Sequence, residues 1–374
     1  MIILNIKTTL FSKMRYICNG LILRSLPTSY SKSYLQYLRI KKEDNVYKYL
    51  LSKKPTCKLT KEQYEEIDAY WSRFYKVRPD SHVFYFLSTG NYSKEYVPYS
   101  IWRYIIDPYF NDWKRAHYFD NKCYYHRIMP NIFMPALYAY KLNNLWYNSH
   151  DEVITLDEVL RIVMSKSDCF IKEAVESWGG LGVKYFSPSS QSKEELEEIF
   201  NNMRGDVVIQ EGVRQCAVLS KINSDSVNTL RIISFLTRDG SVKILSTVLR
   251  MGIRGSKVDN ITSGGLSIGV QEDGRLKDVA YNNRGEKFTE HPTSHVCFGD
   301  IVVPNLDVVK EIVRNNVPKF PHFRLISWDF AINEQLQPVL IEANFCDGGL
   351  DLHQLNNGPI FGDETESILS EVFS

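Results

Sequence analysis

The stretch "LISWDFAINEQLQPVLIEANFCDG", residues 325–348, contains two apolar runs joined by a short polar link. Each run alternates as a β-strand does, so the whole stretch is predicted to form a β-hairpin. In the second strand Glu342 and Asn344 lie on one face, within a segment that otherwise has the composition of a protein core. Burying a carboxylate or an amide without a partner is costly. The two side chains therefore require something to bind.

The register of this hairpin brings a second carboxylate beside Glu342. If Ile332 pairs with Val339, Asp329 lies directly opposite Glu342, with the Cβ atoms roughly 4.5–5.5 Å apart. Two carboxylates this close repel each other, and one would be protonated unless a cation lay between them. Carboxylate and amide oxygens suit Mg²⁺ or Mn²⁺, so Asp329, Glu342 and Asn344 are candidate metal ligands. The alternative is a partly exposed hairpin whose acidic side chains face water.

A second hairpin is predicted in "VNTLRIISFLTRDGSVKILSTVLRMG", residues 227–252, with an Asp-Gly turn at residues 239–240. A two-residue turn pairs Thr229 with Arg250, which places Arg231 and Arg250 on one face in diagonal positions. Two neighbouring guanidinium groups favour an anion, and phosphate or carboxylate fits their geometry. The alternative is a pair of arginines that face solvent.

A glycine-rich turn joins two strand patterns in "FIKEAVESWGGLGVKYF", residues 170–186. It is not a Walker A loop, because no Lys-Ser/Thr pair ends it, and a dinucleotide fingerprint would need a helix after the loop. A flexible loop at Gly179, Gly180 and Gly182, close to Lys172, can still fold its backbone N–H groups over phosphates. The alternative is a turn without a ligand.

Together, the three segments indicate a site for a magnesium-bound nucleotide. A lysine with a glycine loop, a pair of arginines and an acidic hairpin are the charged groups that such a ligand needs. Phosphoryl transfer depends mainly on positioning and on neutralising charge.

The distribution of helix and strand patterns predicts an α+β protein in two parts. Residues 1–97 are a basic, mainly helical region, in which Thr60 and Gln63 form a capping box at the start of one helix. Residues 98–374 contain recurring short strand patterns with few helices between them. This favours antiparallel sheets over a regular βαβ series.

The net charge of +1 conceals a basic N-terminal segment. Residues 1–60 contain twelve Lys and Arg but only two acidic residues, Glu43 and Asp44. Such a segment either binds an anionic surface or, more commonly, is a solvated helix face. The seven cysteines are scattered, which favours a reducing compartment, and no apolar run approaches the roughly 18 residues that span a bilayer. We therefore expect a cytoplasmic protein, at most peripheral to the inner membrane face, with no nucleic-acid partner.

The order of these motifs resembles the ATP-grasp superfamily, and within it the sugar-transfer-associated branch found among bacterial polysaccharide genes. The resemblance covers roughly residues 98–374 and is most specific in "SVNTLRI", "VDN…GG" and "WDFAI…PVLIEANF". The phrases "FDNKCYY", "FIKEAVESWGGLGV", "VVIQEGVRQ", "HPTS" and "NNGPIFG" add to it. The resemblance implies an ATP-grasp fold, in which two α+β lobes with antiparallel sheets enclose the nucleotide.

The resemblance also implies a role for each candidate residue. Two lysines and the glycine loop would contact the phosphates, a hinge strand would bind adenine, the arginines would stabilise the γ-phosphate and the acyl-phosphate, and the acidic hairpin would hold the metal. In that order, the residues are Lys122 and Lys172; Gly179, Gly180 and Gly182; Gln210, Glu211 and Val213; Arg231 and Arg250; and Asp329, Glu342 and Asn344. The substrate end is expected at Asn260, Gly264 and Gly265.

By resemblance, the expected reaction is an ATP- and Mg²⁺-dependent ligation of a carboxylate to an amine through an acyl-phosphate. The expected setting is the biosynthesis or modification of a cell-surface polysaccharide, such as capsule or O-antigen. The partners would be a small-molecule acid and amine, with a sugar or sugar-nucleotide among them, and membrane polysaccharide machinery as a peripheral contact. Two alternatives stay open: a kinase that phosphorylates a hydroxyl, and a nucleotide-binding protein without catalysis.

Overall fold

The computed structural model describes residues 28–54, 59–175, 182–203, 205–253 and 264–374. Its N-terminal part is helical. The elements are α1 (Thr28–Leu51), α2 (Lys61–Trp71), α3 (Asp80–Thr89), α4 (Tyr99–Ile101), a π-helical turn (Trp102–Ile106), α5 (Asp107–Phe110), α6 (Trp113–Asp120), a 3₁₀ turn (Lys122–Tyr124) and α7 (Tyr125–Ile128). The predicted capping box is confirmed at the start of α2, where the Thr60 hydroxyl accepts the Gln63 N–H at 3.2 Å.

Six antiparallel strands form the smaller sheet. Its elements are β1 (Leu137–Leu142), β2 (Leu145–Asn148), β3 (Val153–Ile154), α8 (Leu156–Met164), β4 (Cys169–Glu173), β5 (Val183–Phe186), α9 (Lys193–Asn202) and β6 (Val207–Gln210). The strand order is β3-β2-β1-β6-β4-β5. Because side chains alternate along a strand, one face buries Ile171 and Ile209 against Val163 of α8 and Leu196 of α9.

Seven antiparallel strands form the larger sheet. Its elements are α10 (Ala217–Ser220), β7 (Thr229–Leu236), β8 (Val242–Met251), β9 (Leu266–Val270), β10 (Leu276–Tyr281), β11 (Lys287–Phe288), α11 (Leu306–Asn316), a 3₁₀ turn (Val317–Lys319), β12 (Leu325–Ile332), β13 (Pro338–Asn344), α12 (Asp351–Asn357), a 3₁₀ turn (Gly362–Glu364) and α13 (Thr365–Phe373). The strand order is β11-β10-β9-β8-β7-β12-β13. On one face, Leu230 and Trp328 share a hydrophobic core with Val309 of α11.

The two antiparallel sheets with their helices confirm the predicted α+β class. The N-terminal helices pack against the second face of the larger sheet. Trp71 of α2 and Trp102 of the π-helical turn share one hydrophobic cluster with Phe235 of β7 and Ile368 of α13. Helices on both sides of residue 97 contribute to this cluster. The division of the chain into two parts after residue 97 stays a prediction.

The register of the β12–β13 hairpin differs from the prediction at its turn end. Ile332 pairs with Pro338, one residue away from the pairing assumed from the sequence, which was therefore wrong. A β-bulge beyond Asp329 then adds one unpaired residue, Ile341, to β13. The bulge restores the predicted opposition of Asp329 and Glu342, which is confirmed.

The β7–β8 hairpin shows the same compensation. The Thr237 N–H donates to the Ser241 carbonyl at 2.9 Å, so the turn contains three residues rather than the predicted two. A bulge midway along the pair corrects the offset, and Thr229 pairs with Arg250 as predicted. In both hairpins a bulge between the turn and the polar residues determines which face those residues occupy.

Candidate active site

Asp329 of β12 lies directly opposite Arg231 of β7. Arg231 Nε and Nη2 donate to Asp329 Oδ1 and Oδ2 at 2.7 and 2.5 Å, and Arg250 Nη1 donates to Oδ2 at 3.1 Å. The Asp329 side chain is only 4% exposed, so the two guanidinium groups neutralise a buried charge. Burial alone would raise the pKa of Asp329, but Arg231 and Arg250 hold that pKa below its ordinary value. The carboxylate is therefore ionised and fixes both arginines.

Glu342 of β13 forms a second ion pair. Lys122 Nζ donates to Glu342 Oε1 at 2.7 Å, with the lysine side chain 5% exposed and the glutamate side chain 30% exposed. The Lys122 backbone N–H donates to the Ala174 carbonyl, beyond the end of β4, at 3.0 Å. The Tyr125 hydroxyl donates to the Ala343 carbonyl at 2.9 Å and accepts the Ala343 N–H at 3.1 Å. The segment that carries Lys122 thus connects the two sheets.

The hairpin places oxygen ligands of the predicted type on one face. Asp329 lies opposite Glu342, and Ser327 lies opposite Asn344. Within the ranges that the structure describes, no three His, Cys, Asp or Glu side chains are grouped so that they could hold a metal by themselves. Mg²⁺ commonly takes one or two carboxylates and completes its shell with phosphate oxygens and water. Two carboxylates and an amide fit a divalent cation that binds together with phosphates.

The charges of this site are unbalanced. Three cationic side chains surround two carboxylates: Lys122 contacts Glu342, while Arg231 and Arg250 contact Asp329. Taken alone, these five side chains carry a net positive charge of one. An anion that approached these cations would improve the balance, and the carboxylates would then be free to bind a divalent cation.

The smaller sheet contributes further groups on the face opposite its α8–α9 core. Lys172 of β4 pairs with Val208 of β6, two residues from Gln210, so Lys172 and Gln210 share one face. Val208, on the same face, packs against Cys123, which follows Lys122 in the chain. The structure therefore brings Lys122, Lys172 and Gln210 to one side of the smaller sheet.

The adenine-hinge candidates lie where β6 ends. Gln210 is the last residue of the strand and is buried. Glu211 is exposed, and its backbone N–H donates to the Ala136 carbonyl at 2.9 Å. Val213 is half-buried. The assignment of these residues to adenine stays a prediction.

Three candidates lie outside the described residues: Gly179, Gly180 and Asn260. Gly182 and Gly264 have φ angles of +86° and +95°, a conformation that favours glycine. Gly264 and Gly265 precede β9, in which Ser267 pairs with Arg250. The predicted substrate end thus lies next to the arginine side of the larger sheet, while its role stays a prediction.

His353 of α12 is a residue of this region that the sequence analysis did not identify. The imidazole is fully buried, and its Nδ1 lies 2.8 Å from Ser246 Oγ. Burial, together with the charges of Arg231 and Arg250, lowers the pKa of His353 to about 3. The neutral imidazole adds no positive charge near the arginines. A single histidine in a short helix forms no motif, so the sequence carried no signal for it.

Two acids, the buried Asp107 and the half-buried Asp120, fix the chain directly after the metal-ligand candidates. Asp120 Oδ1 accepts the Phe345 N–H at 2.8 Å, and Asp107 Oδ2 accepts the Asp347 N–H at 3.2 Å. Burial raises the pKa of Asp107 to about 7 and that of Asp120 to about 6. These contacts hold the backbone that follows Asn344. They too were missing from the sequence analysis.

Two antiparallel sheets with a charged site of lysines, arginines and acids are the arrangement expected of an ATP-grasp protein. The model of the sugar-transfer associated ATP-grasp family matches residues 103–369. Because this match covers well over half of the chain, the protein belongs to that family. No curated protein sequence matches the chain significantly.

Solved structures similar to this chain include three nucleotide-binding proteins or synthetases. N5-carboxyaminoimidazole synthase from Aspergillus clavatus, in complex with ADP and 5-aminoimidazole ribonucleotide, is 14% identical, with a TM-score of 0.37 over 70% of this chain and 54% of that chain. D-alanyl-alanine synthetase A from Vibrio cholerae is 14% identical, with a TM-score of 0.38 over 69% of this chain and 65% of that chain. The biotin carboxylase domain of 2-oxoglutarate carboxylase from Hydrogenobacter thermophilus, in complex with MgADP, ADP and bicarbonate, is 13% identical, with a TM-score of 0.40. The match covers 64% of this chain and 42% of that chain. The chain spans less than two thirds of each, and similarities of this size carry no conclusion about activity.

Proposed function

We propose that this protein is an ATP- and Mg²⁺-dependent carboxylate–amine ligase that acts through an acyl-phosphate. The observation that carries the proposal is the arrangement of three cationic side chains around two carboxylates at the site. ATP is a polyanion, and such an arrangement neutralises its phosphates while leaving carboxylates for a divalent cation.

The arginines have the central role in this proposal. Arg231 and Arg250 bind the γ-phosphate and, after transfer, the acyl-phosphate. Both are already held by Asp329, so little reorganisation is needed when charge develops during the reaction. Lys122 and Lys172 contact the phosphates from the smaller sheet.

The acidic hairpin holds the metal. Asp329, Glu342 and Asn344 are the proposed ligands for Mg²⁺ or Mn²⁺, which supplies charge neutralisation at the phosphate oxygens when bound. When a cation binds, Lys122 would exchange its contact with Glu342 for a phosphate contact, while Asp329 would keep Arg231 and Arg250 in place. The site thereby changes partners without leaving a buried charge unpaired.

The remaining candidates surround these groups. In the proposal the glycine loop closes over the phosphates, the end of β6 binds adenine, and the segment before β9 meets the substrate. These residues are Gly179, Gly180 and Gly182 for the loop; Gln210, Glu211 and Val213 for adenine; and Asn260, Gly264 and Gly265 for the substrate.

The reaction needs no nucleophile from the protein. An oxygen of the acid substrate attacks the γ-phosphorus, ADP leaves, and the acyl-phosphate forms. The amine then attacks the acyl carbon, inorganic phosphate leaves, and an amide remains. The side chains of the site supply positioning and charge stabilisation.

We place this reaction in the biosynthesis or modification of a cell-surface polysaccharide, such as capsule or O-antigen. The description of the family as sugar-transfer associated supports a substrate that contains a sugar, as a free sugar or a sugar-nucleotide. The proposal includes a cytoplasmic location and a peripheral contact with membrane-bound polysaccharide machinery.

The test is an assay of the full chain with ATP, Mg²⁺ and a panel of acids and amines that includes amino sugars and uronic acids. We expect ADP release to depend on the acid, and mass spectrometry to detect an amide. Without the amine, hydroxylamine should trap the acyl-phosphate as a hydroxamate. A phosphorylated product that forms without an amine and resists hydroxylamine would identify a kinase instead. Tight ATP binding without turnover across the panel would support a non-catalytic protein.

A further inference from the structure

The outward face of α1 is strongly basic. Within residues 35–53 every basic side chain is exposed, namely Arg39, Lys41, Lys42, Lys48 and Lys53. The two acidic residues of the same stretch contact other helices. Asp44 accepts a hydrogen bond from the Ser100 hydroxyl at 2.6 Å, and Glu43 lies 3.5 Å from the Tyr104 hydroxyl. In the folded protein the acidic side chains of this segment therefore face other helices, and the charged side chains on its outward face are all basic.

The same face exposes an unusual amount of apolar surface. Of the fourteen large hydrophobic residues exposed in the described chain, four lie within fifteen residues of α1: Leu35, Tyr37, Val46 and Tyr49. The positions of Leu35, Lys42, Val46 and Tyr49 differ by seven, four and three, so these side chains follow one line along the helix. Tyr37, Lys41 and Lys48 differ by four and seven and follow a second exposed line. Each line therefore combines cationic and apolar side chains.

We propose that this outward face of α1 binds the surface of an anionic lipid bilayer. Each Lys or Arg near such a surface adds to the attraction, and tyrosine rings are favoured at the level of the lipid headgroups. A helix of 24 residues is about 36 Å long, which suits a contact along a plane. None of the helices in the described ranges is long and apolar enough to cross a membrane. The contact is therefore peripheral.

The exposed aliphatic side chains favour lipid over nucleic acid. Leu35 and Val46 interrupt the row of cations, and a phosphate backbone offers neither of them an apolar partner. At a bilayer surface the same side chains enter the boundary between headgroups and acyl chains.

The helix is also attached firmly enough to orient the whole molecule. Its inward-facing Tyr47, together with Tyr85 of α3, donates to Asp351 Oδ1 at the start of α12, each at 2.5 Å. Because α12 carries His353, a bilayer bound to α1 would have a fixed orientation relative to the candidate active site. The inference gives a surface to the membrane contact in the proposed function, and it does not depend on the ligase reaction.

Cosedimentation of the full chain with vesicles tests this surface. We expect binding to phosphatidylcholine vesicles rich in phosphatidylglycerol, weakening as salt rises, and no binding to phosphatidylcholine alone. For the double variant Lys41→Glu/Lys48→Glu, the partition coefficient onto the anionic vesicles should fall about 30-fold or more. The control Lys221→Glu/Arg314→Glu makes the same charge change at exposed positions elsewhere and should bind as the wild type does.

A second variant pair separates the apolar contribution from charge. Tyr37→Ser/Tyr49→Ser should bind at low salt and lose binding at high salt, where charge is screened. Equal partitioning of the two charge variants would overturn the proposal. The proposal would also be overturned if the protein bound a DNA duplex more tightly than anionic vesicles and if Lys41→Glu/Lys48→Glu abolished the binding to DNA. ATP turnover should be unchanged in all these variants, so failure of this proposal is distinct from failure of the proposed reaction.

Discussion

The site contains two ion-pair systems that differ in how they are built. Asp329 and its two arginines lie on neighbouring strands of one sheet, and the carboxylate side chain is 4% exposed. Lys122 and Glu342 join a 3₁₀ turn to the edge strand of that sheet across 220 residues of sequence, and the glutamate is 30% exposed. The first system is a buried part of the sheet. The second is a partly solvated contact between separate segments.

This difference in burial determines whether an ion pair mainly stabilises the fold or can exchange partners when a ligand binds. A buried carboxylate that is removed from between two guanidinium groups leaves charges that water cannot reach, which is costly. The Glu342 carboxylate is 30% exposed, so water can hydrate it if it loses its lysine. We infer that the Asp329 system mainly supports the fold around the arginines, while the Lys122–Glu342 pair can exchange partners when a ligand binds.

The largest effect on stability is expected from Asp329→Asn. The amide cannot neutralise Arg231 and Arg250, so the free energy of unfolding should fall by about 3–5 kcal/mol, and ATP turnover should be lost. Urea unfolding measures the first effect and ADP release the second. Asp363→Asn, at an exposed position, should change the free energy of unfolding by less than about 0.5 kcal/mol. Equal stability of the two variants would show that the buried cluster does not support the fold.

Lys122→Met should separate binding from stability. Because Glu342 can be hydrated, we expect a loss of only about 1–2 kcal/mol in the free energy of unfolding. Loss of a charged hydrogen bond to phosphate should raise the KM for ATP roughly 10- to 150-fold. A stability loss as large as that of Asp329→Asn, with an unchanged KM, would reverse the distinction between the two systems.

Asp107 offers an effect on stability that changes with pH. Burial raises its pKa from 3.8 to about 7, so the folded protein retains a proton that the unfolded chain loses between these values. The contribution of this group to stability therefore falls as pH rises through that window, by at most about 1.4 kcal/mol per pH unit. In Asp107→Asn this slope should be absent, and urea unfolding across the window measures it. Parallel pH profiles for the two proteins would contradict the expectation, whatever their absolute stabilities.

The two hairpins that carry the buried cluster were within reach of the sequence because each depends on local pairing, whereas the pairing of β12 with β7, which joins Asp329 to Arg231, was not predicted. Alternation along each strand and the position of each turn were enough to place Arg231, Arg250, Asp329 and Glu342 on shared faces. Both turn registers were nevertheless wrong by one residue, and a bulge corrected each of them. The extra residue Ile341 has no sequence signature, since packing of the sheet decides where the bulge falls.

The second ion pair could not be derived from pairing rules. Resemblance pointed to Lys122 as a phosphate ligand, but nothing along the chain indicated Glu342 as its partner, because a long-range contact depends on how separate segments pack. His353, Asp107 and Asp120 were missed for a related reason. Each is a single polar residue in a helix, and only the tertiary structure shows that His353 and Asp107 are buried and that Asp120 is half-buried.

The central claim is that the β12–β13 hairpin holds the metal and phosphates of ATP, and Glu342→Gln tests it most directly. Glutamine keeps the shape and can accept the hydrogen bond from Lys122, but it removes the negative charge that Glu342 would bring to the metal. We expect ATP turnover to fall by at least about 10²-fold, while the free energy of unfolding falls by less than it does in Asp329→Asn, because the amide keeps the hydrogen bond from Lys122. Glu334→Gln, at the exposed turn of the same hairpin, should keep the wild-type rate. Full activity of Glu342→Gln would contradict the claim.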